Sequence, residues 1–177
     1  MDRYLRWAEP WGGCLIPEDT GLCNRLLHWE IAFHISQEND FAFKILVEQP
    51  FWAELSYCDR KKVGALIVKD RTIISDGFNG TPSGFDNCCE DENGETKWYV
   101  LHAEANAILK VANSTNSCNG ATLYLTLSPC RECAKLIHQS GIKRLVYIKK
   151  YKDDTGLRFL EKAGVELSQI ELNQTVE

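Results

Sequence analysis

One histidine, one glutamate and two cysteines have the types and spacing of a catalytic metal centre. His102 and Glu104 are separated by one residue, while Cys130 and Cys133 are separated by two and follow Pro129. An imidazole and two thiolates can bind zinc and leave its fourth position open for water. Because bound zinc lowers the pKa of water to roughly 7, a nearby carboxylate can take up and deliver its protons. The four residues therefore predict hydrolysis assisted by one zinc ion, with Glu104 as the proton carrier.

The same residues match the H-x-E…P-C-x-x-C pattern of zinc-dependent nucleobase deaminases. In that chemistry, water attacks the ring carbon that carries an exocyclic amine, and the carboxylate delivers protons to the ring nitrogen and to the departing ammonia. The alternative is an inert structural zinc, closed by a fourth cysteine from Cys88 or Cys89. We favour catalysis because Glu104 is intact and because a strand and a helix are predicted around the cysteines.

Alternating strands and helices must bring these residues together. Apolar, β-branched runs over 63–69 and 72–75 predict a hairpin, and Gly77–Gly84 predicts an irregular loop that presents Asn79. Further strands are predicted over 121–127, 144–148 and 165–170, and helices over 103–112, 130–140 and 156–163. The order β-β-α-β-α-β-α-β indicates an α/β layered domain with a mixed sheet.

Composition and charge narrow the class of partner. The chain has 177 residues, of which 44% are hydrophobic, and a formal net charge of −5. This acidity disfavours binding to an extended nucleic acid, whereas a mononucleotide needs only a small basic patch. Neither a signal peptide nor a membrane-spanning run is apparent, so we expect a cytoplasmic protein that does not enter a membrane. With eight cysteines in such a chain, we expect metal ligands and free buried thiols rather than disulfides.

Five stretches resemble the deoxycytidylate (dCMP) deaminases, a branch of the cytidine deaminase superfamily. They are CDRKKVGALIVKD, ISDGFNGTPSGFDNCCE, LHAEANAI, GATLYLTLSPCRECAKLIHQSGIKRLVY and AGVEL. The zinc signature is shared across the superfamily, and the GFNGTPSG loop with HAEANAI narrows the match to this branch. The resemblance implies a three-layer cytidine-deaminase-like fold, with a mixed five-stranded sheet and helices on both faces. It also implies conversion of dCMP and water to dUMP and ammonia.

The resemblance also assigns roles to individual residues. His102, Cys130 and Cys133 would be the zinc ligands and Glu104 the proton shuttle. Asn79 would contact the deoxyribose, although an asparagine between glycines more often caps a tight turn. The remaining substrate contacts implied are Ala103, Ser128 at the pyrimidine edge, Tyr151 on the base, and Arg60, Lys61 and Lys62 near the phosphate. For the three cations a solvated basic face is an equal alternative, and for Tyr151 plain packing is another.

Further properties follow from the same resemblance. Several members are hexamers regulated by nucleotides with magnesium, so we expect a homo-oligomer, a hexamer or a dimer, and magnesium with an allosteric nucleotide. Some members bind a second, structural zinc at positions that match Cys58 and Cys88 or Cys89. The loop from Cys89 to Tyr99 holds no histidine to complete that site. We therefore favour small buried thiols over a second zinc.

We expect a deaminase domain over 51–172, a tail over 173–177, and an N-terminal appendage or insertion over 1–50. Three other functions stay open at this point. A tRNA adenosine deaminase shares the zinc residues but needs a basic surface. The deaminase of a riboflavin-pathway enzyme has longer spacing around its second zinc cysteine. A zinc module that acts through binding alone has no need of Glu104.

Overall fold

A computed structural model describes residues 4–5, 16–17 and 53–170 of the chain. Near the N-terminus, β1 (Tyr4–Leu5) pairs with β2 (Ile16–Pro17) in an antiparallel ladder. The rest of the predicted appendage and the predicted tail lie outside the described residues, so the expected domain boundaries stay predictions. Among the residues described, no helix is long and apolar enough to cross a membrane.

A mixed five-stranded sheet organises residues 64–169. The strands are β3 (Gly64–Lys69), β4 (Thr72–Phe78), β5 (Thr122–Leu127), β6 (Arg144–Lys149) and β7 (Glu166–Gln169), and the helices are α1 (Ala103–Ala112), α2 (Arg131–Gln139) and α3 (Thr155–Lys162). The strands lie in the order β4-β3-β5-β6-β7. Strand β3 runs antiparallel to both neighbours, while β5, β6 and β7 are mutually parallel. The predicted order of elements and the mixed five-stranded sheet are confirmed.

The hairpin between β3 and β4 closes through a two-residue turn. Asp70 and Arg71 both have positive φ, 50° and 60°. A turn with two positive φ angles twists in the same sense as the strands that it joins. This match favours the turn here, although neither of its residues is a glycine.

All three described helices pack on one face of the sheet. Their inward residues, among them Ala107, Ile137 and Leu160, share one buried cluster with Ile67 and Leu125 of the sheet. The alternating side chains on the opposite face, among them Leu66, Tyr124 and Val146, form a second buried cluster. The described residues place no helix against that second face, so the expected second helical layer lies outside them.

Strand β4 is longer than expected and ends at the site. The sequence predicted a loop from Gly77, but Gly77 and Phe78 pair with β3 as strand residues. Gly77 is required for close approach, because an added Cβ would overlap the Ala103 carbonyl oxygen at the start of α1. This contact allows α1 to pack closely against β4 of the sheet. Ser75 adds a hydrogen bond of 2.8 Å from its Oγ to the Ala107 carbonyl.

Candidate active site and metal centre

The predicted metal ligands meet at two helix N-termini. His102 is the N-cap residue of α1, Cys130 is the N-cap residue of α2, and Cys133 lies in the first turn of α2. The sequence analysis predicted that this helix begins at Cys130, one residue before its observed start at Arg131. Since helix N-termini carry partial positive charge, both termini favour thiolate over thiol.

The three donor atoms have the spacing of a zinc site. The His102 Nδ1 atom lies 3.6 Å from Cys130 Sγ and 3.3 Å from Cys133 Sγ, and the three donors lie within 4.8 Å of one another. With Zn–N and Zn–S bonds near 2.1 and 2.3 Å, a nitrogen and a sulfur of one tetrahedral site lie about 3.6 Å apart. The donor set therefore fits zinc in both chemistry and size.

The two thiols and the His102 imidazole lie close enough to share protons, so each group changes the pKa of the others. Hydrogen bonding from Cys133, and then from His102, lowers the pKa of Cys130 to about 3. The hydrogen bond with Cys130, together with burial, raises the pKa of Cys133. The sulfur of Cys130 also raises the pKa of His102. A divalent cation bound here would take the place of these shared protons.

Glu104 is buried in the second position of α1, beside the donor atoms. Only 4% of the residue is exposed, and burial raises the pKa of its carboxyl group because the charged form loses its hydration. A carboxyl group with a raised pKa exchanges protons more readily near neutral pH than an exposed one.

Backbone contacts position the cysteines. Cys130 follows the end of β5, and the Ser128 amide donates to the Lys149 carbonyl at 2.8 Å. From α3, Gly156 packs directly against Pro129 and Cys130, where an added Cβ would overlap the Pro129 carbonyl oxygen. Helix α3 therefore supports the segment that carries the metal ligands.

The donors open into a cavity of about 590 Å³ at one edge of the sheet. It is large enough for a mononucleotide. Cationic, acidic, aromatic and apolar side chains all contribute to its walls. The lining residues are Cys58, Arg60, Lys61, Val63, Asn79, Glu90, Thr96, Val100, His102, Ala103, Glu104, Leu127, Ser128, Cys130, Tyr151 and Lys152.

Asn79 lines this cavity while its side chain bonds the protein itself. Its Oδ1 accepts a hydrogen bond from the Val63 amide, and its Nδ2 donates to the Lys61 carbonyl, both at 2.8 Å. The side chain thus ties the end of β4 to the segment before β3. The turn-capping role that the sequence offered as the alternative is present, and a sugar contact stays a prediction.

Ala103, Ser128 and Tyr151 also lie in the cavity wall. The Ser128 hydroxyl accepts a hydrogen bond of 2.8 Å from the Tyr151 amide, which holds the aromatic ring at the cavity edge. The Lys61 ammonium lies 4.9 Å from the centre of that ring, within the range of a cation–π interaction.

The cations are arranged differently from the prediction. Arg60 lines the cavity, but its guanidinium is paired with Glu95 at 2.6 Å. Lys62 is exposed and is not part of the lining, whereas Lys61 and Lys152 are. The sequence analysis did not single out Lys152 or Glu90. Lys152 had one available signal, since it directly follows Tyr151.

Two cysteines correct the prediction of free thiols. Cys58 and Cys89 form a disulfide across 31 residues of sequence, while Cys88 is free and exposed. A disulfide leaves neither sulfur available for a second metal. Both residues are buried, and only the tertiary fold brings them together.

Comparisons with known proteins agree with this site. The model of the family "cytidine and deoxycytidylate deaminase zinc-binding region" matches residues 39–149. The chain belongs to this family. It is thus a zinc-dependent deaminase by family, and the predicted enzyme class is confirmed.

Members of this family with known structure or curated names show how far the similarity extends. A dCMP deaminase from cyanophage S-TIM5, solved with dCMP and dUMP, has 43% identity and a TM-score of 0.69 over 71% of this chain and 93% of its own. The deoxycytidylate deaminase of Enterobacteria phage T4 is 37% identical over 158 residues, covering 65% of this chain and 82% of its own. That of Mycobacterium phage D29 is 40% identical over 112 residues, covering 55% and 86%.

Proposed function

We propose that this enzyme hydrolyses dCMP to dUMP and ammonia. One observation carries the proposal: the donors His102 and Cys130 and the buried Glu104 line the same cavity as Lys61 and Lys152. A set of reactive residues and two cations in one mononucleotide-sized cavity suit a nucleobase that carries a single phosphate. The dCMP deaminases among the similar proteins support the same substrate.

In this proposal His102, Cys130 and Cys133 hold a zinc ion, which supplies Lewis-acid activation of a water molecule. The water oxygen bonds to C4 of cytosine, and the bond from C4 to the exocyclic nitrogen breaks. Glu104 accepts the first proton of the attacking water and passes it to ring N3. It then takes the second proton from the hydroxyl group now on C4 and delivers it to the departing amine, which leaves as ammonia while C4 becomes a carbonyl. Its burial beside the donor atoms keeps bulk water away from this transfer.

The cavity wall supplies the groups for substrate binding. We assign the phosphate to Lys61 and Lys152, since both line the cavity and Lys61 lies over the ring of Tyr151, the neighbour of Lys152. Arg60 also lines the cavity, with its guanidinium paired to Glu95. Tyr151 offers an aromatic face for the base, and the buried Ser128 and Ala103 border the reactive end. Asn79 fixes the cavity wall next to the sugar. Its amide can still accept one hydrogen bond and donate one, because each of its two polar atoms uses only one site within the protein.

Several broader properties belong to the proposal. We propose a homo-oligomer, supported by exposed apolar side chains on successive helices, Leu109, Leu136 and Phe159. Light scattering on the purified protein tests this. Regulation by a nucleotide with magnesium rests on the family resemblance. We propose action in the cytoplasm, where free nucleotides occur, and a deaminase domain over 51–172 between an N-terminal appendage and a short tail.

The test is ammonia release from dCMP, CMP and deoxycytidine, with zinc content measured on the same samples. We expect dCMP to be preferred. Glu104→Gln should retain zinc and lose at least about 10³-fold in kcat, because it removes the proton carrier. Glu132→Gln, which removes the same charge at an exposed position of α2, is the matched control. Normal turnover by Glu104→Gln would contradict the mechanism, and deamination of only an adenosine-containing RNA would contradict the substrate.

A further inference from the structure

A second carboxylate faces the cavity and takes no part in the proposed chemistry. Of the described residues that line it, only Glu90 and Glu104 are acidic. The Glu90 carboxylate accepts one backbone hydrogen bond on each oxygen, from Asp59 N to Oε2 and from Arg60 N to Oε1, both at 3.3 Å. Two consecutive amides thus hold a negative charge in the cavity wall.

The position of this charge is rigidly maintained. The Cys58–Cys89 disulfide joins the residues that immediately precede Asp59 and Glu90. An isolated bridge pairs Glu90 with Thr96, and the Lys97 amide donates to the Cys89 carbonyl at 2.8 Å. Because backbone, side chain and a neighbouring covalent bond are all constrained, Glu90 cannot easily turn away from a ligand.

Glu90 also lies at the cationic region of the cavity. Its Oε1 atom bonds the amide of Arg60, which is next to Lys61 in the chain. The Arg60 side chain is already paired with Glu95, which leaves Lys61 and Lys152 as the other cations in the lining. Two lysines match the charge of one phosphate monoester, whereas a longer phosphate chain adds negative charge beside a fixed carboxylate.

We propose that Glu90 is a specificity-determining residue that restricts the substrate to a nucleoside monophosphate. It repels a second phosphate group, and it does so without moving because its geometry is set in advance. This inference rests on the proposed function, since it assumes that a phosphorylated deoxycytidine occupies the cavity.

The expected size of the effect follows from Coulomb attraction and repulsion at the cavity wall. One additional charge roughly 7 Å from the carboxylate, in a partly hydrated cavity, changes binding about five- to tenfold. Removal of the Glu90 charge should therefore improve kcat/KM more for deoxycytidine diphosphate than for dCMP. Deoxycytidine, which has no phosphate, should respond least.

The experiment measures kcat/KM of the zinc-loaded enzyme for deoxycytidine, dCMP and deoxycytidine diphosphate. In Glu90→Gln, the preference for dCMP over the diphosphate should fall about five- to tenfold relative to wild type. Glu92→Gln is the matched control, because it removes the same charge from the same loop at an exposed position that does not line this cavity. Its preference should equal that of wild type.

A third variant separates charge from loosening of the loop. Glu90→Asp keeps the charge but shortens the side chain, so a charge effect predicts a preference close to wild type. If Glu90→Asp instead matches Glu90→Gln, a loosened wall explains the change and the inference fails. Deamination of dCMP with the same preference in Glu90→Gln as in wild type overturns this inference alone, whereas a wild-type enzyme that does not deaminate dCMP overturns the proposed function and the inference with it.

Discussion

The two ends of the cavity are built in different ways. The metal end lies at the N-termini of two helices that pack on a buried sheet. His102 and Cys130 are the N-cap residues, and Glu104 and Cys133 lie in the first turns. At the part of the lining that we call the loop end, Glu90 and Thr96 belong to a polar loop. A disulfide and two hydrogen bonds from backbone amides to the Glu90 carboxylate tie this loop to residues 58–60. One end is positioned by regular structure, the other by links between irregular segments.

This difference separates chemistry from selection. Zinc chemistry requires donor atoms placed to within a fraction of an ångström, which buried helices and strand ends provide. Recognition of a phosphate depends more on the balance of nearby charges and tolerates adjustment of a loop. We therefore expect changes at the metal end to affect zinc and turnover, and changes at the loop end to affect KM and substrate choice.

Among changes that leave the predicted metal ligands and Glu104 in place, the largest effect should come from crowding the metal end. Gly156→Ala would push its Cβ into the Pro129 carbonyl and displace the cysteine segment. We expect zinc affinity to fall about 10- to 100-fold, as for loss of other groups that support ligands. Competition with a chromogenic chelator measures this. Gly80→Ala is the control, since its Cβ would have no neighbour within 4 Å; equal zinc affinity in both variants would contradict this account of α3.

A smaller effect is expected from the phosphate cations. Lys61→Gln should raise KM for dCMP about tenfold, the size of one lost charge-assisted hydrogen bond, and leave deoxycytidine unaffected. Lys62→Gln removes the same charge one residue away, outside the cavity lining, and should change KM little. Steady-state kinetics of the pair decide between them. A larger effect of Lys62→Gln than of Lys61→Gln would contradict the assignment of the phosphate to Lys61.

The smallest effect on catalysis should come from the disulfide. Replacement of both Cys58 and Cys89 by serine should lower the free energy of unfolding by about 2–4 kcal/mol, since the unfolded chain gains conformational freedom. KM for dCMP should rise a few-fold as the loop loosens, with zinc content unchanged. Urea denaturation and kinetics of the zinc-loaded protein test both parts. Loss of zinc in this variant would show that the two ends are not independent.

Much of the metal end could be predicted because its signals are local in the sequence. The H-x-E triplet and the C-x-x-C pair each lie within one helical turn, so their spacing already constrains the donor atoms. The helix over 103–112 was predicted with the observed bounds, since its alanine-rich sequence has strong helix propensity. Errors were confined to element ends, such as Cys130, where a cap residue has extended dihedral angles.

The loop end could not be predicted for the opposite reason. Cys58 and Cys89 are 31 residues apart, and Glu90 meets Arg60 across 30. Such contacts depend on how loops are closed by the whole fold, which no local pattern encodes. The adjacent cations Arg60, Lys61 and Lys62 show the same limit, because in an irregular segment the sequence does not indicate which side chains face the cavity and which face solvent.

By itself, the sequence determined the order of the strands and helices and the family, and it predicted the candidate zinc donors and proton carrier that the structure brings together. These depend on residue types at short spacing, where covalent geometry limits the outcome. Only the tertiary structure decided which cations line the cavity, that Asn79 bonds the backbone around it, and that a disulfide holds Glu90 in its wall. These features depend on long-range packing, in which a shift of one residue can move a side chain from the cavity to the solvent.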